Sequence, residues 1–207
     1  MNMKNADRFA PPERARWQLI ASGQPPRASG KGKSLRWEAT TDEEGYSLRN
    51  GGIVMPREWD LPTGNYYYRF VDSASYSKHS GEGSASPGLF GGWWVEYEVI
   101  QSMVSFARSH GELLENVASY FLALPQEWGD RARLFRACLG FPLRAWRGRG
   151  HVAQSGSGKY IPPQHLQEIF QCLIPGDPQQ RAGAFLPWIP SANLIYTRDF
   201  EQCGWFK

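Results

Sequence analysis

Arg69 sits in an unusual place for a charge, within the aromatic run YYYRFVD at residues 66–72. Tyr, Phe and Val at this density predict a strand. Its period of two puts Tyr67, Arg69 and Val71 on one face, and Tyr66, Tyr68, Phe70 and Asp72 on the other. A guanidinium among rings is costly to bury unless it meets an anion, and its planar fork of donors matches phosphate oxygens. The structural alternative is an arginine stacked on a tyrosine or paired with an acid. Residues 73–92 follow, dominated by Ser and Gly, with Tyr76, Leu89 and Phe90 as the large apolar anchors. Such a segment can wrap an anion with backbone N–H groups, or it can simply connect two elements.

A second concentration of charge runs from Arg131 to Arg149 and beyond. Between Arg131 and Gln167 the chain holds six arginines, one lysine and no acid. This stretch can hold phosphates, or it can be a solvated face balanced in space by Glu96, Glu98 or Glu112. Arg144, Trp146, Arg147 and Arg149 would also suit a phosphate-and-stacking strip for nucleic acid.

Other chemistries lack their signatures. His79, His110, His151 and His165 show neither HxxxH nor HExxH spacing, so no metal site is expected. No GxSxG elbow, GxxxxGK[ST] loop or strand-linked GxGxxG occurs, which argues against an α/β-hydrolase nucleophile, a P-loop and a Rossmann site. Cys138, Cys172 and Cys203 are distant and odd in number, which fits a reducing compartment rather than a disulfide framework. Glu96 and Glu98 read as helix-start charges rather than a glycosidase pair.

The elements that must position these groups follow from periodicity. Residues 1–50 are polar and broken by prolines, with apolar patches at Trp17, Leu19 and Ile20 and at Leu35 and Trp37. They read as an arm that packs on the body, or that orders on a partner. Residues 51–62 suggest a turn, a short strand and a proline-bounded loop. Residues 93–109 predict a helix, with Trp93, Tyr97, Ile100, Val104 and Ala107 recurring at helical steps. A second helix is expected over 112–124 and a third over 130–139, capped by Asp130 and closed by Gly140. Leu143, Ala145 and Trp146 suggest a short strand ending in a turn at Gly148 and Gly150. HLQEIFQCLI suits strand or helix by composition, and the alternation of Ile169, Gln171 and Leu173 favours a strand. Residues 193–198 read as a last strand, after which Trp205 and Phe206 are expected to dock on the body. The fold class is therefore α+β, with a split or mixed β-sheet and a central pair of helices. The arm covers 1–50 and one domain covers 51–207.

Taken together, a Tyr68-Arg69 strand, Ser80-Gly81, Gly91-Gly92 and a late Glu168 resemble the ADP-ribosyltransferase toxin fold. The resemblance spans roughly residues 65–200. It implies a split sheet that holds NAD, with Arg69 gripping its diphosphate or ribose and Tyr68 or Trp94 stacking on nicotinamide. Ser80 would join them in the nucleotide site. Glu168 would bind the nicotinamide ribose and offset the positive charge that grows as the glycosidic bond breaks. The family's Ser-Thr-Ser strand is matched only by Ser155-Gly156-Ser157, and its Gln/Glu-x-Glu is not kept, since Leu166 precedes Glu168 by two. The related RES-type NAD-consuming toxins share the Tyr-Arg start and a Gly-Gly-Trp turn, then a strand and a helix glutamate. In this sequence GGWW reads straight into the helix, leaving Glu96 and Glu98 as stand-ins.

The leading expectation is an NAD-using ADP-ribosyltransferase-like effector or toxin that modifies a macromolecular target. The alternative is a non-enzymatic adaptor whose Arg131–Arg149 stretch meets an anionic partner or nucleic acid. No apolar run approaches the roughly 20 residues of a membrane span, and no secretory signal is visible. The expected location is cytoplasmic, or one reached through a signal-less secretion system.

Overall fold

The computed structural model describes residues 3–78, 91–158, 160–161, 169–176 and 192–196. In chain order, helix α1 (Glu13–Ala21) leads to a hairpin of β1 (Pro26–Ser29) and β2 (Arg36–Ala39). Strands β3 (Ile53–Leu61) and β4 (Tyr66–Val71) come next, then the short helix α2 (Ser73–Lys78) and strand β5 (Trp93–Glu96). Helices α3 (Tyr97–His110) and α4 (Leu114–Leu122) lead to β6 (Arg133–Cys138) and β7 (Leu143–Gly150). The minor pair β8 (Ala153–Gln154) and β9 (Tyr160–Ile161) precedes β10 (Phe170–Leu173) and β11 (Ala192–Tyr196).

Seven strands join in the order β11-β6-β4-β5-β10-β7-β3, each pair antiparallel. The fold is α+β, as its sequence implies. At its middle the sheet is divided. The first half of β5, Trp93 and Trp94, pairs with Leu173 and Cys172 of β10. Its second half, Val95 and Glu96, pairs with Tyr68 and Tyr67 of β4. Four residues thus serve two neighbours in turn, so among the described residues the end of β4 that carries Arg69 has no ladder partner on the β5 side.

Alternation along β4 and β5 feeds two cores. Tyr67, Trp94, Ala137 and Cys172 belong to one, with Phe9, Trp17 and Trp146. Tyr68, Val95 and Leu134 belong to the other, with the inner faces of α3 and α4. Helix α3 buries Val99, Ile100, Met103, Val104 and Ala107, and ends at Gly111 in the left-handed conformation that spares a Cβ clash. Helix α4 buries Leu114, Val117 and Phe121 against it.

Residues 1–50 are joined to the body by more than their apolar patches. Asn5 is fully buried, and its side-chain amide brackets the Arg144 backbone, donating to the carbonyl at 2.8 Å and accepting the N–H at 2.9 Å. Trp17 is buried and Arg16 lies over the Trp37 ring. No helix among the described residues is long and apolar enough to cross a membrane.

Four expected elements differ. Residues 93–96 are strand, and the helix starts only at Tyr97. Trp94 and Val95 are both buried, so β5 lacks the polar-apolar alternation that marks a half-exposed strand. The predicted helix over 130–139 is instead strand β6, flanked by β4 and β11. Asp130 caps no helix: its carboxylate accepts the backbone N–H groups of Ser73 and Ala132 and ties the start of α2 to β6. Strand β3 runs on past Pro56, absorbing it in a register shift between Val54 and Arg57 with Met55 at φ +48. Its partner β7 continues through Gly148, where a Cβ would overlap the Ile53 side chain. Trp205 and Phe206 lie outside the described residues.

Candidate functional site

A cavity of about 420 Å³ opens where the sheet divides. The end of β4 supplies Tyr68, Arg69, Phe70, Val71 and Asp72. Trp93, Trp94 and Val95 come from β5, and Gln171 from β10. One further wall is the crossing of Gly23 with residues 50–52. There the Asn50 N–H donates to the Gly23 carbonyl at 2.9 Å, and a Cβ on Gly52 would overlap the Gly23 nitrogen. The remaining wall descends from the C-terminus of α4 to Trp128 and Arg131.

Arg69 is the chemical centre of this space. Its guanidinium lies against Gly91, whose φ of +122 and missing Cβ make the approach feasible: any Cβ there would overlap the guanidinium. The Trp94 indole holds Gly91 in place by donating to its carbonyl at 3.2 Å. Burial pulls the Arg69 pKa down to about 10, and the charge of Asp72 pulls it back up, so the group stays cationic at neutral pH. A charged donor fork beside aromatic walls, in an opening of this size, is suited to a phosphate-bearing ligand.

The rings divide into two sorts. Tyr68 and Trp94 both line the cavity, but they are only 2% and 1% exposed and serve as its floor. Burial raises the Tyr68 hydroxyl to about 12, with Arg136 opposing, so it remains protonated. Trp93 is half-buried, and Trp128, at 47% exposed, packs against Gly51. These two have ring area to offer a planar ligand. His151 also lines the cavity; its Nδ1 donates to the Val152 carbonyl at 2.9 Å, which fixes that proton and leaves Nε2 as the other reactive nitrogen. Trp93, Trp128, His151, Gln171 and Asp72 did not stand out in the sequence. For the two tryptophans the abundance of aromatic residues was the one visible signal.

Glu168 and Ser80 lie outside the described residues. Ile169, next after Glu168, is buried in the helix-side core, and Gln171 reaches the cavity. Glu96 faces a separate, smaller hollow with Glu98, Ser102, Arg147 and Phe170. Among the described residues no three His, Cys, Asp or Glu side chains gather as a metal site would need.

The arginines of the 131–149 stretch are largely committed. Arg131 is 9% exposed and donates to the carbonyls of Glu115 at 3.4 Å and Pro125 at 3.2 Å. Arg133 donates to the Ser73 hydroxyl, and Arg136 lies 4.9 Å over Tyr66. Arg144 meets Asp60 at 2.7 Å and Glu58 at 3.3 Å. Arg147 grips one Glu96 oxygen at 2.7 and 3.0 Å, and its guanidinium lies 4.1 Å from the Phe170 ring and 4.8 Å from Trp59. Arg149 is exposed.

Comparison with family models, with curated proteins and with solved structures finds no match to this chain.

Proposed function

We propose that this protein is an NAD-consuming enzyme of the ADP-ribosyltransferase type, cleaving the nicotinamide–ribose bond and passing ADP-ribose to a macromolecular acceptor. The observation that carries this reading is the seat of Arg69, a cation held against Gly91 in an aromatic cavity at the division of the sheet. The guanidinium fork would grip the diphosphate, with Trp93 and Trp128 offering stacking surfaces.

The chemistry asks little of the protein beyond position and charge. As the C–N bond breaks, nicotinamide leaves with the bonding electrons and positive charge develops on the ribose. A carboxylate beside the ribose stabilises that charge, and the acceptor's nucleophile then bonds to the same carbon and gives up its proton. Glu168 is the residue proposed for the carboxylate. It stands two positions before the start of β10, which pairs with the cavity-lining Trp93 and Trp94. Strand β5 also supplies the strand between a Gly-Gly-Trp turn and a helix that the RES-type pattern includes. Glu96, engaged by Arg147, is the weaker candidate.

The adaptor reading needs a free basic face. The pairing of Arg144 and Arg147 and the burial of Arg131 give it little to work with.

The test is release of nicotinamide from NAD by the full chain, with and without cell lysate as a source of acceptor. Wild type should release it, and Arg69→Ala and Glu168→Ala should lose that release while remaining folded by circular dichroism. Absence of both NAD binding and turnover in wild type would end this reading.

A further inference from the structure

The ring of His151 is held in one protonation pattern by the wall that carries it. Its backbone N–H donates to the Gly52 carbonyl at 2.8 Å. The Val152 carbonyl accepts both the Gly51 N–H at 3.2 Å and the ring Nδ1–H at 2.9 Å. A carbonyl oxygen only accepts, so the proton of the neutral imidazole sits on Nδ1 and the lone pair on Nε2. The side chain is half-buried and lines the cavity, and among the described residues Nδ1 is its one hydrogen-bonded ring nitrogen.

The other ionisable groups among the described residues that line the cavity are committed. Arg69 and Arg131 are cations, and Arg131 donates to the carbonyls of Glu115 and Pro125. The charge of Asp72 acts on Arg69, and its side chain packs on Gly129, where a Cβ would overlap it. Tyr68, its hydroxyl raised to about 12 by burial, can donate a proton but not take one up.

Transfer of ADP-ribose leaves one proton to be placed. As the acceptor's oxygen bonds to the ribose carbon, nicotinamide leaves with the electrons of the C–N bond. That oxygen turns acidic, and its hydrogen must go to a base. A carboxylate acceptor carries no such proton at neutral pH, and a charged guanidinium has no free lone pair with which to attack. A hydroxyl does need the base, and a neutral imidazole nitrogen is the commonest side-chain group for that task.

Resting on the NAD reading above, we propose that Nε2 of His151 is the catalytic base that takes this proton, and that the acceptor is a hydroxyl group, water included. The imidazolium then passes the proton to solvent.

The experiment measures ADP-ribose formed from NAD by the full chain, in buffer with water as acceptor and in cell lysate with macromolecules as acceptors. His151→Ala should lower the yield about 100-fold, with NAD affinity by calorimetry as in wild type. Azide is an anion with no proton to lose. Adding it should restore nicotinamide release in His151→Ala, with ADP-ribosyl azide as the product seen by mass spectrometry. His151→Asn is the second variant: its amide can still donate to the Val152 carbonyl but offers no base, so it should behave as His151→Ala does. Circular dichroism checks that each is folded. In lysate the transferred ADP-ribose should resist neutral hydroxylamine, which cleaves carboxylate esters; its release would overturn the hydroxyl assignment. Unchanged ADP-ribose formation in either folded variant would overturn the role of His151 and leave the NAD reading standing, as would a loss that azide does not restore. A wild type that neither binds nor cleaves NAD would remove the two together.

Discussion

Arg147 and Arg69 both project from the central sheet, one from β7 and the other from β4, and their guanidinium groups meet different company. Arg147 is saturated: a Glu96 oxygen at two short distances, with Phe170 and Trp59 close to its plane. Arg69 is set at the edge of an open cavity, held by a glycine that makes way for it and offset by the charge of Asp72. The first arrangement neutralises a cation inside the structure. The second sets a cation in the wall of a cavity, with the Asp72 charge acting on it. Local sequence does not distinguish them, because each arginine is flanked by aromatic or small residues. What separates them is whether the sheet is continuous beside them. Strand β7 has neighbours on both sides, whereas β4 loses its β5 partner just before Arg69.

If that distinction holds, the two arginines fail in different assays. The largest effect is expected for Arg69→Ala, which should lower nicotinamide release by about 100-fold or more, the scale of losing a charge-stabilising donor, with little change in thermal stability. Arg147→Ala should do the reverse. It strands a half-buried carboxylate at Glu96 and should cost about 1.5–3 kcal/mol in a denaturant titration, while the folded fraction keeps its turnover. Equal loss of turnover in both variants would erase the contrast.

A smaller effect is expected at Arg144, whose partner Asp60 is 57% exposed on its side chain. Arg144→Ala should cost about 1 kcal/mol or less, and the difference from wild type should shrink as salt is raised. The mildest test uses Cys172, paired in register with Trp94 on one side and Arg147 on the other. Burial, reinforced by Glu96, pushes its thiol pKa well up. In a Cys138→Ser, Cys203→Ser background, the native protein should react with a thiol reagent only at the rate of unfolding. Fast reaction would mean that the sheet between the two arginines opens readily.

Much of this architecture was legible from local pattern. The alternation of 66–72 announced β4, and the apolar stripes read over 93–109 and 112–124 announced the paired helices α3 and α4. Arg69, Tyr68 and Trp94, which the family resemblance grouped, all line one cavity. Two strands were misread for physical reasons. Buried on both faces, Trp93–Glu96 carries no alternation, and Trp93 happens to fall in phase with the helix that follows. In β6, arginines at 133 and 136 mimic a helical spacing, while in space they serve Ser73 and Tyr66. The fate of the basic stretch was hidden for another reason. Glu58 and Asp60 stand over 80 residues from Arg144, and Glu96 stands 51 from Arg147. Charge balance at such separations is a property of the fold. Trp128 and His151 likewise acquire meaning only from the walls that surround them.

The divided pairing of β5 also sets an order of assembly. Its Trp93 and Trp94 acquire their outer neighbour only when β10, almost 80 residues later in the chain, folds back beside them. Contacts closed over such a span carry a large loop-closure cost and form late. During synthesis the Arg69 strand, the helix pair and β6 can all be in place while the cavity still lacks the wall that carries Gln171. The cavity is therefore completed only after β10, with Gln171, has emerged and paired with β5.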